Sequence, residues 1–219
     1  MNVLDEKVKP PPNADAVRVL HEDAWLLVVE KPEGMLSVPG RLPENRDSVA
    51  SRVQLRYPEA LIVHRLDQVT SGLMLMARDV ATHRALSVAF AARNIDKRYE
   101  ALVEGFVDGE SGDIDLPLIA DWPNRPRQKV DHEIGKPSRT LWRVMLRDEA
   151  TSQTRLALEP VTGRSHQLRV HLAETGHPIV GDTFYGATPA ARVCLHAAWL
   201  GLNHPATGQP VEFSSPPPF

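Results

Sequence analysis

LIVHRLDQVTSGLMLMARD, residues 61–79, places a polar loop between two apolar runs. The runs, Leu61–Val63 and Leu73–Ala77, are strand-like in length and composition. An acid in a loop that follows such a run, here Asp67, is a suitable position for a catalytic carboxylate. An aspartate near serine and threonine in a turn, however, more often makes only backbone hydrogen bonds. From this stretch alone we favour the structural interpretation of Asp67.

Strand-like patterns continue on both sides of this stretch. Residues 17–32 contain two apolar runs separated by HEDA, a turn composition, and residues 97–107 alternate like a strand before the acidic turn DGESGD. Further strands are predicted for residues 141–147, 154–161, 193–202 and the C-terminal segment from Gln209. Three helices are predicted, over residues 48–56 with Ser48 as N-cap, over 81–93, and over 165–176 with Gly176 at the C′ position.

These patterns predict an α+β fold on a mixed, largely antiparallel β-sheet with flanking helices and loops. Residues 116–140 are rich in proline and arginine, and we expect them to form a long irregular insertion. Residues 1–16, with three consecutive prolines, are predicted to be a flexible arm. No linker divides the remaining chain, so we predict a single domain over residues 17–219.

Composition excludes several classes of protein. The chain has 219 residues, of which 42% are hydrophobic, and a net charge of −3, which excludes intrinsic disorder. Its longest apolar runs fall far short of the roughly 18 residues that a membrane span needs. The N-terminus lacks the apolar core of a secretory signal. Because Cys194 is the single cysteine, no internal disulfide forms, and a cytoplasmic location fits best.

The distribution of charge matters more than its sum. Residues 61–100 carry six basic and four acidic side chains, whereas residues 101–119 carry five acids and no base. Residues 120–147 carry seven bases and three acids. Two basic stretches therefore flank an acidic one, which permits a local basic surface, although ordinary solvated charge explains the pattern equally well.

Three other polar clusters each have a structural and a functional interpretation. Tyr99 follows two cations and either packs in a half-buried strand, as is more common, or offers a stacking face to a nucleobase. Arg164 follows a glycine at a predicted helix N-terminus, where it either binds an anion or is solvated beside a capped helix. Cys194 and His196 share a face of a predicted strand, and a buried structural cysteine is favoured over a nucleophile. The histidines have no zinc-site spacing, so no metal is expected.

Five segments in the same order resemble motifs of one family, the RluA family of RNA pseudouridine synthases. A single short motif would be weak evidence, but five in order, within a match that runs from Trp25 to the C-terminus, make chance an implausible explanation. The segments are HRLDQVTSG (64–72), KRYEALVEG (97–105), GRSHQLRVH (163–171), GHPIVGD (176–182) and LHA (195–197).

The resemblance implies a pseudouridine synthase catalytic domain over residues 17–219, without the S4 RNA-binding domain that some members carry. It implies an isomerase that acts on RNA without cofactor or metal. Residues 26–41 and 115–130 resemble the members that modify both 23S rRNA and the anticodon stem-loop of tRNA. A single-specificity enzyme of the same family is the alternative.

The resemblance also implies roles for individual residues. The reaction detaches uracil at N1 and reattaches it through C5. Asp67 would be the reactive carboxylate, by attack on C1′ or by abstraction of a sugar proton, and Arg164 would hold it ionised. Tyr99 would stack on the flipped uracil, and its hydroxyl could act as a late acid or base. Leu195 would supply an opposing apolar wall.

RNA contacts are predicted for basic and polar side chains around these residues. Arg65, two residues before Asp67, would contact phosphate near the extruded nucleotide or fill the space that it vacates. The basic stretch from Arg125 to Arg147 would clasp the RNA backbone, which needs few phosphate contacts if the shape of the loop supplies selectivity. The predicted substrate-binding residues are His64, Arg65, Thr70, Lys97, Leu195, Arg125, Arg127 and Lys129.

Two other classes of protein are compatible with parts of the sequence. A binding-only RNA chaperone on the same fold would be favoured by an altered Asp67 or Arg164, and both are present. A glycosidase would need a second acid about 5–9.5 Å from Asp67, and none appears in the polar clusters. We expect a monomer, because the sequence contains no heptad repeat or exposed apolar helix.

Overall fold

The structure, a computed structural model, describes residues 17–219, so the arm predicted for residues 1–16 lies outside the described residues. The described residues group into two compact units. The first unit contains residues 17–97 and 196–218, and the second contains residues 98–195 and Phe219. The single domain predicted from the sequence stays a prediction. Within residues 17–219 no helix is long and apolar enough to cross a membrane.

The first unit begins with the predicted hairpin of β1 (Arg18–Glu22) and β2 (Leu26–Lys31), which pair antiparallel. Asp23 closes the turn between them, because its carboxylate accepts the backbone N–H groups of Trp25 at 2.7 Å and Leu26 at 2.9 Å. These hydrogen bonds, together with the neighbouring histidines His21 and His204, hold the pKa of Asp23 well below its usual range despite its partial burial.

The predicted helices and strands of residues 48–93 are confirmed. Helix α1 (Val49–Gln54) begins at Ser48, whose hydroxyl accepts the N–H of Ser51 in a capping box. The apolar runs around the polar loop form β3 (Leu61–Ile62) and β4 (Ser71–Ala77), which pair antiparallel. Helix α2 (Val80–Ala91) begins at Asp79, which caps it by accepting the N–H of Thr82.

The second unit is built on an antiparallel sheet in the order β5 (Asp96–Glu104), β10 (Gln153–Pro160), β9 (Arg139–Asp148) and β6 (Ser111–Asp115), where β5 contributes its residues from Arg98 onward. The expectation of an irregular insertion over residues 116–140 is wrong in part. A hairpin of β7 (Leu118–Ala120) and β8 (Gln128–Val130) forms there, with a 3₁₀ turn at Trp122–Asn124. Strands of three residues leave too short an apolar pattern to be recognised in the sequence.

Helix α3 (Gln167–Glu174) is confirmed, although it begins two residues later than predicted. His166 adopts a left-handed backbone conformation with φ +52°, so the helix starts after it. Gly176, with φ +84°, follows the last turn and supplies the left-handed conformation that ends the helix.

The C-terminal strands β11 (Leu195–Asn203) and β12 (Pro210–Ser214) complete the first unit, to which β11 contributes its residues from His196 onward. The strand order there is β1-β2-β4-β11-β12, with β3 also paired to β4. β4 and β11 are parallel, whereas the other pairs are antiparallel, which confirms the mixed, largely antiparallel sheet. Alternate apolar residues of β2, β4 and β11 pack on Leu86 of α2 to form the core of the unit.

Candidate active site

The loop that carries Asp67 lies between β3 and β4, in the first unit. It turns tightly, because the N–H of Thr70 donates to the carbonyl of Asp67 at 3.1 Å. Ser37 fixes the residue before Asp67, since its hydroxyl donates to the carbonyl of Leu66 at 2.7 Å and accepts the N–H of Leu66 at 3.1 Å. Asp67 itself is half-buried, and Leu66 and Val69, which precede and follow it in the loop, are buried. The carboxylate therefore projects from a backbone that is held on both sides.

Lys31 holds the other end of this turn. Its side chain is fully buried, and its ammonium donates to the carbonyls of Pro32 at 2.9 Å, Gln68 at 2.8 Å and Thr70 at 2.6 Å. Three short charge-assisted hydrogen bonds satisfy the three protons of a buried ammonium, whose burial is otherwise costly. The sequence predicts no role for Lys31, because its place directly before Pro32-Glu33-Gly34 suggests only the end of a strand.

His64 is predicted to contact substrate, and in the structure one nitrogen and one face of its ring make contacts within the protein. Its Nε2 accepts the backbone N–H of Leu75 at 2.9 Å, and the ring stacks on Phe90 with centroids 4.5 Å apart. Desolvation, helped by the positive charge of Lys97, lowers the pKa of His64 to about 3. His64 is therefore a neutral imidazole whose Nε2 is occupied by the backbone.

Lys97 and Phe90 join His64 in one cluster of the first unit. The ammonium of Lys97 lies 6.0 Å from the centroid of the Phe90 ring. Burial lowers the pKa of Lys97, and the nearby Arg93 adds to the effect. Of the other residues predicted to bind substrate in this unit, Thr70 is buried and Arg65 is exposed.

Ser71, directly after the turn, belongs to a buried chain of hydrogen bonds. Its hydroxyl lies 2.8 Å from Nδ1 of His196, and Nε2 of His196 lies 3.0 Å from the hydroxyl of Ser215. Ser215 in turn donates to the carboxylate of Glu30. His196 thus connects β4, β11 and the C-terminal segment. Cys194 is buried, which fits the favoured interpretation of a structural cysteine.

Gly72 explains why β4 approaches β11 so closely. A Cβ atom at this position would lie 2.3 Å from the carbonyl oxygen of Ala197, and the backbone has φ +113°. Only glycine satisfies both requirements.

Tyr99, Arg164 and Leu195, the other residues with predicted roles in the reaction, lie in the second unit. Tyr99 is half-buried on β5, opposite Leu158 of β10, and Leu195 is buried at the start of β11. Arg164 has an exposed side chain in the segment that precedes α3, and its Nε lies 3.4 Å from the carbonyl of Pro137.

Gln167 fixes the backbone around Arg164. Its carbonyl oxygen accepts the hydroxyl of Thr162 at 2.6 Å and the N–H of Arg164 at 3.1 Å. Its amide donates to the carbonyl of Arg139 at 2.9 Å and to the hydroxyl of Thr140 at 3.0 Å. A buried glutamine that makes four such bonds holds the turn in a single conformation.

Arg169 and His171 of α3 are both buried. Arg169 is buried and pairs bidentately with Asp182, at 2.7 and 2.8 Å. His171 is also buried, between the hydroxyl of Thr140 and the carbonyl of Leu116, and burial lowers its pKa. The charge of Arg169 is therefore neutralised inside the second unit by Asp182. The GHPIVGD segment supplies that partner, a pairing that spacing alone does not indicate.

The predicted basic clasp from Arg125 to Arg147 stays a prediction, and its second half contains surface ion pairs. Strand β6 of the acidic stretch lies beside β9 of the basic stretch that follows it. Arg139 pairs with Asp113 at 3.0 Å, and Arg147 pairs with Glu110 at 2.8 Å.

The first half of the clasp keeps its predicted cations near the surface. Lys129 lies 3.6 Å from the carboxylate of Asp131. Arg125 and Arg127 instead stack on aromatic rings, Arg125 on Trp122 at 4.0 Å and Arg127 on Tyr185 at 5.6 Å from the ring centroid. These aromatic partners are not predicted from the sequence, although Trp122 lies only three residues from Arg125.

Known proteins are similar to this chain over most of its length. Residues 25–174, which include Asp67, Tyr99 and Arg164, match the model of a family described as RNA pseudouridylate synthase. The chain is 48% identical over 214 residues to the dual-specificity RNA pseudouridine synthase RluA of Escherichia coli K12, which covers 95% of this chain and 97% of that protein. It is 52% identical over 202 residues to RluA of Vibrio vulnificus, covering 89% of this chain and 81% of that protein.

Among solved structures, human RNA pseudouridylate synthase domain-containing protein 1 is similar, with a TM-score of 0.79 and 28% sequence identity. The similarity covers 96% of this chain and 87% of the human one.

Proposed function

Because the chain belongs to the RNA pseudouridylate synthase family, we propose that it isomerises uridines of both 23S rRNA and tRNA, with Asp67 as the reacting carboxylate. Membership of the family decides between the alternatives that the sequence leaves open, since it favours catalysis over binding alone and isomerisation over hydrolysis. The proposed dual specificity is supported by relatives at about half identity that are named dual-specificity RNA pseudouridine synthases. Both proposed substrates are cytoplasmic RNAs, which makes the cytoplasm the proposed location of the enzyme.

The observation that carries the role of Asp67 is the construction of its loop. Ser37 holds the backbone before the carboxylate and Lys31 holds the turn after it, so little freedom is left for the loop to rearrange when RNA binds. A catalytic group that is fixed before substrate arrives loses less entropy in the reaction. The reaction transfers no atom to or from a second substrate, so one positioned carboxylate, a cation that keeps it ionised and an extruded base are sufficient.

The remaining roles rest on the sequence motifs and on the family. Arg164 would keep the carboxylate ionised, because a guanidinium close to a carboxylate favours its charged form. Tyr99 would stack on the uracil once the nucleotide has left its own stack, and Leu195 would form an apolar wall. Arg65 would contact phosphate beside the extruded nucleotide, since among the described residues no acidic side chain pairs with it. We propose that the enzyme acts as a monomer.

Replacement of Asp67 tests the proposal. Asp67→Asn keeps the size and polarity of the side chain but removes its charge and its nucleophilic or basic oxygen. Formation of pseudouridine replaces the hydrogen at C5 of uracil, so release of tritium from RNA labelled at C5 reports turnover. We expect release to fall by at least about 10³-fold, a typical loss for a residue that acts directly in the transition state.

Asp96→Asn, which removes an exposed carboxylate on β5, is the matched control and should retain full activity. Binding of a tRNA anticodon stem-loop to Asp67→Asn should stay within a few-fold of the wild-type value. Appreciable tritium release by Asp67→Asn would exclude Asp67 as the reacting carboxylate. Release from the tRNA stem-loop but not from a 23S rRNA hairpin, or the reverse, would exclude dual specificity.

A further inference from the structure

The tip of the hairpin formed by β7 and β8 is a compact turn held by its own hydrogen bonds. The N–H of Asp121 donates to the carbonyl of Arg127 at 2.9 Å, and the N–H of Arg127 donates to the carbonyl of Asn124 at 3.1 Å. The side-chain amide of Asn124 donates to the carboxylate of Asp121 at 2.8 Å. The start of β8, next to the turn, is held as well, because the N–H of Gln128 donates to the hydroxyl of Tyr185 at 2.9 Å. The turn is thus a fixed element that presents its outer side chains in defined positions.

Trp122 lies on this turn with 65% of its surface exposed. Tryptophan is among the most buried residue types on average, so an indole left in solvent on an ordered turn needs a reason. Trp142 of the same unit shows the usual arrangement, since it is half-buried and packs its ring against Gly112. Trp122 contributes little to a core and is available to a partner.

Arg125 orients the exposed indole. Its guanidinium carbon lies 4.0 Å from the centroid of the Trp122 ring, within the range of a cation–π contact. The stacked pair presents a flat aromatic surface and a delocalised positive charge at one place.

The charge of this pair is not neutralised by the protein. Among residues 17–219, no carboxylate forms an ion pair with Arg125 or Arg127, whereas Lys129, Arg139 and Arg147 each have an acidic partner. Asp121 is the nearest acid along the chain, and it is engaged by Asn124. An uncompensated arginine stacked on an exposed aromatic ring matches a planar, anionic partner, and a nucleotide of single-stranded RNA has both properties.

We propose that Trp122 and Arg125 form a stacking platform for one unpaired base of the RNA substrate, a base other than the uridine that is isomerised. The proposal rests on the proposed function, because it takes RNA as the substrate. It adds a second recognition site. This site binds a nucleotide that has left the RNA loop, and it recognises the base by stacking in addition to any contact with phosphate. Trp122 would therefore contribute to the choice of RNA loop, whereas Asp67 would carry out the reaction.

Binding of a tRNA anticodon stem-loop, measured by fluorescence anisotropy, tests the platform. Each loop nucleotide other than the target is replaced in turn by an abasic residue, and wild type is compared with Trp122→Ala. We expect Trp122→Ala to weaken binding of the intact loop about 10-fold, within the range for one stacked base. At one loop position the abasic replacement should cost wild type a similar factor and should cost Trp122→Ala nothing further. Trp122→Phe, which keeps an aromatic face, should restore most of the affinity.

Lys136→Ala is the matched control for loss of charge, because Lys136 is exposed and unpaired within the described residues but has no aromatic partner. It should weaken binding clearly less than Arg125→Ala. The platform is refuted if Trp122→Ala binds like wild type, if its effect adds to that of every abasic replacement, or if Lys136→Ala matches Arg125→Ala. Tritium release by the same wild-type preparation separates the two proposals, since its absence would refute the proposed function and not the binding site.

Discussion

The loop around Asp67 and the tip of the β7–β8 hairpin differ in what holds them in place and in how exposed their side chains are. The Asp67 loop is held by buried side chains from other segments, of which Lys31 and Ser37 are the main ones. The hairpin tip is held by bonds within itself and keeps Trp122 and Arg125 on the surface. The first arrangement suits a group that must not move during a reaction. The second suits groups that must meet a partner arriving from solvent.

Of the substitutions that test this comparison, replacement of Lys31 should have the largest effect on stability. Lys31→Met keeps the length and apolar stem of the side chain but leaves the carbonyls of Pro32 and Thr70 without this donor, whereas the carbonyl of Gln68 still accepts the N–H of Gly34. Since each unsatisfied buried acceptor costs about 1–3 kcal/mol, we expect the free energy of unfolding to fall by about 3 kcal/mol or more. Urea denaturation measures this loss, and tritium release should fall as well because the turn that carries Asp67 loses its support.

Lys136→Met is the matched control, because the same change at an exposed lysine should alter the free energy of unfolding by less than about 0.5 kcal/mol. Equal and small losses in both variants would show that the ammonium of Lys31 does not hold the loop. The Asp67 loop would then not differ from the hairpin tip in being held by a buried side chain from another segment.

The elements near Asp67 could be predicted because their signals are local. The apolar runs of β3 and β4 and the cap at Ser48 each depend on a few consecutive residues. The support given by Lys31 was not predictable in this way, since it bonds to Gln68 and Thr70, more than thirty residues later. A lysine at the end of an apolar strand gives no sign in the sequence that its side chain is buried.

The same reason explains what the sequence does not predict in the second unit. The neutralisation of Arg139 by Asp113 depends on the register between β6 and β9, which charge counts along the sequence do not contain. The pair of Arg169 and Asp182 likewise depends on how the segment after α3 folds back. The catalytic candidates Asp67, Tyr99 and Arg164, by contrast, each lie in a motif of contiguous residues, so the sequence alone is sufficient to propose them.

The state of His64 gives a second way to examine the Asp67 loop. In the unfolded chain its imidazole gains a proton near pH 6.5, whereas in the folded protein its pKa is lowered to about 3. Between these values the unfolded state binds more protons, so the contribution of His64 is fully present above pH 6.5 and is lost as pH falls toward 3. The slope has an upper limit of about 1.4 kcal/mol per pH unit.

His64→Gln should therefore flatten the pH dependence of stability. Its amide oxygen can accept the N–H of Leu75 in place of Nε2, but it does not titrate. Urea denaturation between pH 7.5 and 5 should show a shallower fall in the free energy of unfolding for the variant than for wild type, with His171 contributing equally to both. Identical slopes would mean that the imidazole is accessible to protons in the folded state.

The smallest effect is expected at the hairpin tip, where the same substitution can be compared at two tryptophans. Trp142→Ala removes a ring packed against Gly112 and should lower the free energy of unfolding by about 2–3 kcal/mol. Trp122→Ala removes an exposed ring and one surface cation–π contact, so its cost should stay below about 1 kcal/mol. Urea denaturation of both variants decides the point. Equal losses of stability would show that Trp122 packs in the folded core and is not available to RNA. A small loss of stability together with weakened RNA binding would show that Trp122 serves recognition of RNA and not folding.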